Sequence, residues 1–227
     1  MAKLNLRDQR GTTLIELVVA TLAGSVIFLG LTMVVIASMH QQTRISKRVH
    51  ATQEARTLVQ RIVTELHSSC VAANVSPIQG ENPSTSISYV YQTGSGAALT
   101  PVKRKVSLSG TTLMLSTFPS TSGSTPKWAF SETASSTQTL LTNVSGVSAS
   151  EPLFRYYKYK EGVITAMPST ITASESPFVV QVDIALKVSP TGSTVTDAKS
   201  PGIVNDSAYL RYSPPSANVN AANLPCE

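Results

Sequence analysis

Hydrophobic and polar positions change rhythm twice along this chain. From Leu17 to Met39 run 23 residues without a charge, which at about 1.5 Å per residue make roughly 34 Å of helix, enough to cross a bilayer. After Met39 the sequence turns polar but keeps a helical stripe, with Ile45, Val49, Thr52, Ala55, Val59, Ile62 and Leu66 three or four apart. No proline occurs before Pro77, so the pattern predicts one helix from Thr12 to Cys70, 59 residues and about 88 Å long. Its outer half, residues 40–70, should bury the stripe under the C-terminal part of the chain.

Beyond Cys70 the rhythm becomes alternating. Ser86–Gln92 alternates Ile87, Tyr89 and Tyr91, and Val102–Leu108 alternates Val102, Val106 and Leu108 around Arg104. Thr111–Thr117 comes next across Ser109-Gly110 and should close a hairpin with it. The strongest strand is Phe178–Val188: Val180, Val182, Ile184, Leu186 and Val188 share one face, which should cover the helix, and Gln181, Asp183 and Lys187 share the other. Runs such as GENPSTS and SPTGSTVTDAKSPG read as loops. A long helix succeeded by strands, without alternating βαβ units, predicts an α+β fold: an N-terminal stem helix packed on an antiparallel β-sheet head, residues 71–227.

Charge adds little to the head. The net +5 divides into +2 for residues 1–11, +2 for 12–70 and +1 for 71–227, so no basic domain invites nucleic acid by bulk attraction. Arg44, Lys47, Arg48, Glu54, Arg56, Arg61 and Glu65 lie off the apolar stripe and read as a solvated face, or as a surface meeting adjacent subunits. Lys103, Lys105, Arg155, Lys158 and Lys160, beside Tyr156, Tyr157 and Tyr159, form a candidate ligand patch, because cations interleaved with aromatics suit single strands. Glu151 and Glu161 oppose that reading, and strands commonly turn Lys and Tyr to solvent.

Catalysis is not expected. All three histidines, His40, His50 and His67, lie on the stem, and no nucleophile motif or phosphate loop occurs. Asp183, Asp197 and Asp206 match no calcium-loop spacing, so neither metal nor cofactor is expected. Cys70 and Cys226 bracket the head. Bridged, they would close a loop of 157 residues, contributing about 5 kcal/mol by the chain-entropy account. Two separate thiols remain the alternative.

Glu16 stands at the entrance of the apolar run. An ionised carboxylate in hydrocarbon costs about 2.5–3.5 kcal/mol and usually has a partner, so a plain anchor gains nothing from it. The apolar run also exceeds the 7–15 residues or so of a secretory signal. Flanking charge does not orient it, since Arg44, Lys47 and Arg48 come after it as closely as Lys3, Arg7 and Arg10 precede it.

Gly11-Thr12-Thr13-Leu14-Ile15-Glu16, after a short basic leader and before the apolar run, resembles the cleavage and methylation motif of type IV pilin-like precursors. The resemblance implies a cytoplasmic leader, residues 1–11, removed by a prepilin peptidase between Gly11 and Thr12, with N-methylation of Thr12. It implies that residues 12–39 cross the inner membrane and later form the filament core, head outside, in a cell-surface or periplasmic filament. The partners it implies are lipid before assembly, an inner-membrane assembly platform and other pilin or pseudopilin subunits. In that family the amine of an incoming subunit meets the Glu16 carboxylate of one already docked; an intrasubunit pair with Thr12, four residues away, is the other arrangement. The chain departs from the family in having Thr12 as first mature residue and no stem proline. Gly24 and Gly30 are read as allowing close helix packing or as a weak point.

Leu140–Gly146, Leu153–Tyr157, Gly162 and Tyr209–Arg211 are similar to head segments of minor pilins or minor pseudopilins of the W or J type. The implied role is a structural minor subunit. The alternatives are a type II secretion pseudopilin, a DNA-uptake or adhesive pilin, and an anchored exported domain that never enters a filament. Gly11 and Glu16 separate the last from the rest.

Overall fold

The computed structural model describes residues 13–69, 75–93, 100–122, 128–190 and 201–210. Two compact units are present, residues 1–46 and 47–227. Helix α1 (Leu14–His67) contributes to both.

In the first unit α1 is bare: every residue from 13 to 46 is exposed. Glu16 and Leu17 donate backbone bonds to the Thr13 carbonyl at 2.9 and 3.2 Å, and Glu16 lies in the first turn, where unpaired helix amides favour an anion. The hydroxyls on this stretch do not make it polar. Thr21 donates to the Val18 carbonyl at 2.9 Å, Ser25 to Leu22 at 2.8 Å and Thr32 to Phe28 at 2.8 Å, so each is satisfied within the helix. At Gly24 and Gly30 no atom of the described residues lies within 4 Å of where a Cβ would stand, so no contact among the described residues demands glycine there.

In the second unit burial along α1 begins at Ala51 and recurs at Ala55, Leu58, Val59, Ile62, Val63 and Leu66. The stripe is shorter than its sequence pattern, for Ile45 and Val49 are 61% and 47% exposed. The strands come next in chain order. β1 (Asn82–Pro83) leads into a first sheet of β2 (Ser86–Thr93), β3 (Thr100–Ser109) and β4 (Thr112–Ser122), with β5 (Ala129–Phe130) and β6 (Ser136–Leu141) both paired to β4. A second sheet holds β7 (Val144–Ser145), β8 (Phe154–Lys160) and β9 (Val163–Ala166); β10 (Thr170–Ile171) returns to β1; β11 (Gln181–Val188) and β12 (Gly202–Tyr209) complete the second sheet in the order β12-β11-β8-β9, with β7 also on β11. Every pairing is antiparallel. The fold is α+β, one long apolar-to-amphipathic helix with antiparallel sheets.

One core joins the three layers. The helix stripe shares it with Ile87, Tyr89, Val106 and Leu115 of the first sheet and Phe154, Tyr156, Val182, Ile184 and Leu186 of the second. Each large apolar side chain fully buried there contributes about 1.5–3 kcal/mol. The sheets are also stitched directly: the Tyr156 hydroxyl donates to the Ser86 carbonyl at 2.8 Å and the Phe154 amide to Ser84 at 2.9 Å. Burial raises the Tyr156 phenol above its ordinary range, keeping it a donor.

The β3–β4 hairpin forms with Ser109 opposite Thr112, so its turn is Gly110-Thr111, one residue later than the sequence reading. Gly110 has φ +61°, a conformation glycine adopts without steric cost. The longest predicted strand starts late: Ser176–Phe178 is a 3-10 turn and β11 begins at Gln181. Pro177 lacks the amide a ladder needs there. Pairing nevertheless extends to Val180, whose amide donates to Tyr157 at 2.9 Å and whose carbonyl accepts from Leu210 at 2.8 Å.

β12 meets α1 where a side chain is missing. A Cβ at Gly202 would collide with Thr52 Oγ1, which donates to the Arg48 carbonyl at 2.9 Å. Gly202→Ala should therefore destabilise the protein by about 1–3 kcal/mol through overpacking. Thr52→Ala in the same chain should recover most of that loss, and a double-mutant cycle by urea unfolding measures the coupling.

Candidate functional site

The exposed part of α1 is the first candidate. It is long and apolar enough to span a membrane. Leu17, Leu22, Ile27, Leu29 and Met33 are all about three-fifths or more exposed, and Glu16 is the only charged residue of α1 before Arg44. A contiguous apolar surface of this extent far exceeds what soluble monomers leave to water. It requires a cover, and one carboxylate at its start requires a cation or water. Gly11 and Thr12, the expected cleavage pair, and Cys70 and Cys226, the expected bridge, lie outside the described residues.

The second feature is a buried charge cluster. Spacing along the helix assigns Arg61 and Glu65 to a solvated face, yet Glu65 is 7% exposed. The inner face of the first sheet supplies what the helix lacks there. Arg104 Nη1 lies 2.5 Å from Glu65 Oε1, the Tyr89 hydroxyl donates to Oε2 at 2.6 Å, and Arg61 Nε donates to Oε1 at 3.1 Å. Arg104 also stacks on the Tyr91 ring, 4.5 Å from its centroid, a favourable cation–π contact.

Burial pushes the Glu65 carboxyl upward, but the bonds from Arg104 and Tyr89, the charge of Arg104 and the bond from Arg61 outweigh it and hold the group below its ordinary value. Burial, then the adjacent Glu65 charge, drives the Tyr89 phenol well above its ordinary range. Both oxygens of Glu65 are thus occupied by donors that stay protonated at neutral pH. The cluster fastens helix to sheet and offers no open position for a reactant. The sequence carries a signal for it: Glu65 sits beside Leu66 and three after Ile62 on the apolar stripe, and Arg104 sits midway between Val102 and Val106.

The five cations of the predicted patch fall on different sheets. Lys103 and Lys105 project from one face of β3, whereas Arg155, Lys158 and Lys160 belong to β8. Arg155 Nη2 lies 3.4 Å from Asp183 Oδ2 and 3.9 Å from Glu151 Oε1, so its charge is already engaged. Asp183 also accepts from Gln181 Nε2 at 2.7 Å; Asp206 is exposed on β12, and Asp197 lies outside the described residues.

No protein-family model matches the chain, and no curated protein does. Among solved structures, a type IV-like pilin from Thermus thermophilus is similar over 68% of this chain and 90% of that one, at 11% identity and a TM-score of 0.36.

Proposed function

We propose that this chain is a structural minor subunit of a type IV pilus-like filament. It is made as a precursor, cut after Gly11 by a prepilin peptidase that methylates Thr12, and held in the inner membrane by α1 with its head outside. The assembly platform then draws it into a filament. The observation that carries this reading is the uninterrupted exposed apolar surface of α1 from Leu14 to Met39, with Glu16 as its single charge. Lipid covers that surface before assembly and sister helices cover it afterwards, and in the filament the Thr12 amine of a neighbouring subunit supplies the cation that Glu16 calls for. Pilus, uptake apparatus and secretion pseudopilus share this chemistry. With all histidines on the stem, the head's role is placement in an assembly rather than catalysis.

The test is N-terminal mass spectrometry of the chain expressed with its native secretion machinery. The expected mature protein begins at N-methylated Thr12 and runs ahead of a Gly11→Val variant, which keeps residues 1–11. A wild-type chain that retained its leader in the membrane and never entered sheared surface filaments would instead be an anchored exported domain.

A further inference from the structure

We propose that the head carries a cleft for a neutral sugar ring on the face of the first sheet turned away from α1. This proposal does not depend on filament assembly. It starts from three consecutive cations, Lys103-Arg104-Lys105. Strand pleat sends alternate residues to opposite faces: Arg104 points in to Glu65, and Lys103 and Lys105 point out, beside the outward-facing Ser88, Val90 and Phe118.

That outer face is partly roofed. Val75 and Val90 are buried in a small core of their own, against which Trp128 and Phe130 pack. Beside it opens a cavity of about 520 Å³, within the range of roughly 300–1,000 Å³ typical of small-molecule sites. Phe118, Trp128 and Phe130 give it half-buried aromatic surfaces. Lys103, Lys105, Glu81 and Glu132 all line it, so its formal charge cancels.

One wall is fixed in advance. Asn82 Oδ1 accepts the Ser88 amide at 2.6 Å, and Asn82 Nδ2 donates to the Gln79 and Gly80 carbonyls at 3.1 Å each. Gly80 completes the turn with φ +72°. Lys103 is held too, its Nζ 4.9 Å from the centre of the Phe118 ring. A wall ordered before binding loses less entropy when a ligand arrives.

The mixture of groups selects the ligand. Aromatic side chains line the cavity together with two charged donors and two charged acceptors. A sugar ring presents an apolar C–H face and a rim of hydroxyls that both donate and accept, and so engages all of them. A purely apolar ligand would strip water from four charges without replacing it. A nucleic-acid strand would use the lysines and rings but would set its phosphates against two carboxylates.

Trp128 is the only tryptophan in the chain, so intrinsic fluorescence reports from the cleft itself. The full chain, in micelles of a detergent without a sugar headgroup, is titrated with cellobiose, maltose and diacetylchitobiose. At least one should give a saturable change in Trp128 emission that persists when salt is raised about tenfold. Lys105→Ala and Glu132→Ala should each weaken it by about tenfold while the urea midpoint stays that of the wild type. Silence with all three disaccharides overturns the proposal, as does a response that neither substitution alters. An oligothymidylate that saturates the same signal with steep salt dependence, where the sugars do not, makes the cleft a strand-binding site instead.

Discussion

Replacing Arg104 by methionine is expected to lower the stability of the head by about 3–5 kcal/mol, the usual cost of leaving a buried charge without its partner. Stability of a whole domain is only about 5–15 kcal/mol, so the variant should melt roughly 10 °C lower. Arg61 does not rescue it: its side chain is half exposed, whereas that of Arg104 is 15% exposed and faces a carboxylate 9% exposed. The triple replacement Glu65→Leu, Arg104→Met and Tyr89→Phe should return close to wild-type stability, because it leaves neither a buried charge nor the Tyr89 hydroxyl, which donates to Glu65, to satisfy.

The same cluster fixes a pH signature. Because Glu65 is held below its ordinary value in the folded chain, its contribution is complete above the unfolded carboxyl pKa of about 4.3. It is lost as pH falls through the lowered folded value. Urea midpoints measured from pH 7 downward should therefore fall in the wild type below about pH 4, and fall less steeply in Glu65→Gln. If Arg104→Met unfolded at the wild-type urea concentration, the cluster would be an ornament of the interface and not its fastening.

Period alone makes most of this fold legible. The change from helical to alternating spacing near Cys70 locates the helix and the strands, and Ile87, Tyr89, Val182, Ile184 and Leu186 face inward as their alternation requires. What periodicity does not report is which partner a position meets. Glu65 reads as polar and so as solvent-facing, although its place three residues after the buried Ile62 turns it toward the sheet. Lys103 and Lys105 read as part of one basic patch with Lys158 and Lys160, because linear sequence does not show that β3 and β8 belong to different sheets. Val90 breaks its strand's alternation because a second, smaller core with Val75 covers the outer face. Strand alternation assumes one buried face, and here part of the sheet has two.

Under the filament reading, Glu16→Gln should leave membrane insertion and cleavage at Gly11 intact while reducing surface filaments by tenfold or more, the effect of losing about 1.4 kcal/mol at each subunit contact. Glutamine keeps the size and position of the side chain in the first turn of α1, so only the charge is removed. In a lone anchor that change is favourable, since the carboxylate costs about 2.5–3.5 kcal/mol in hydrocarbon; membrane retention should be equal or better. In an assembly the carboxylate is what recognises the neighbouring Thr12 amine, and its loss removes the force that sets one helix against the next in register. Glu16→Asp, which keeps the charge but shortens the reach, should fall between the two. Filament counts from electron microscopy of sheared fractions, compared with the membrane-bound pool on the same cells, separate these outcomes. Wild-type filament numbers in Glu16→Gln would mean that the apolar surface of α1 drives assembly by burial alone, and that the charge at its entrance sets no register.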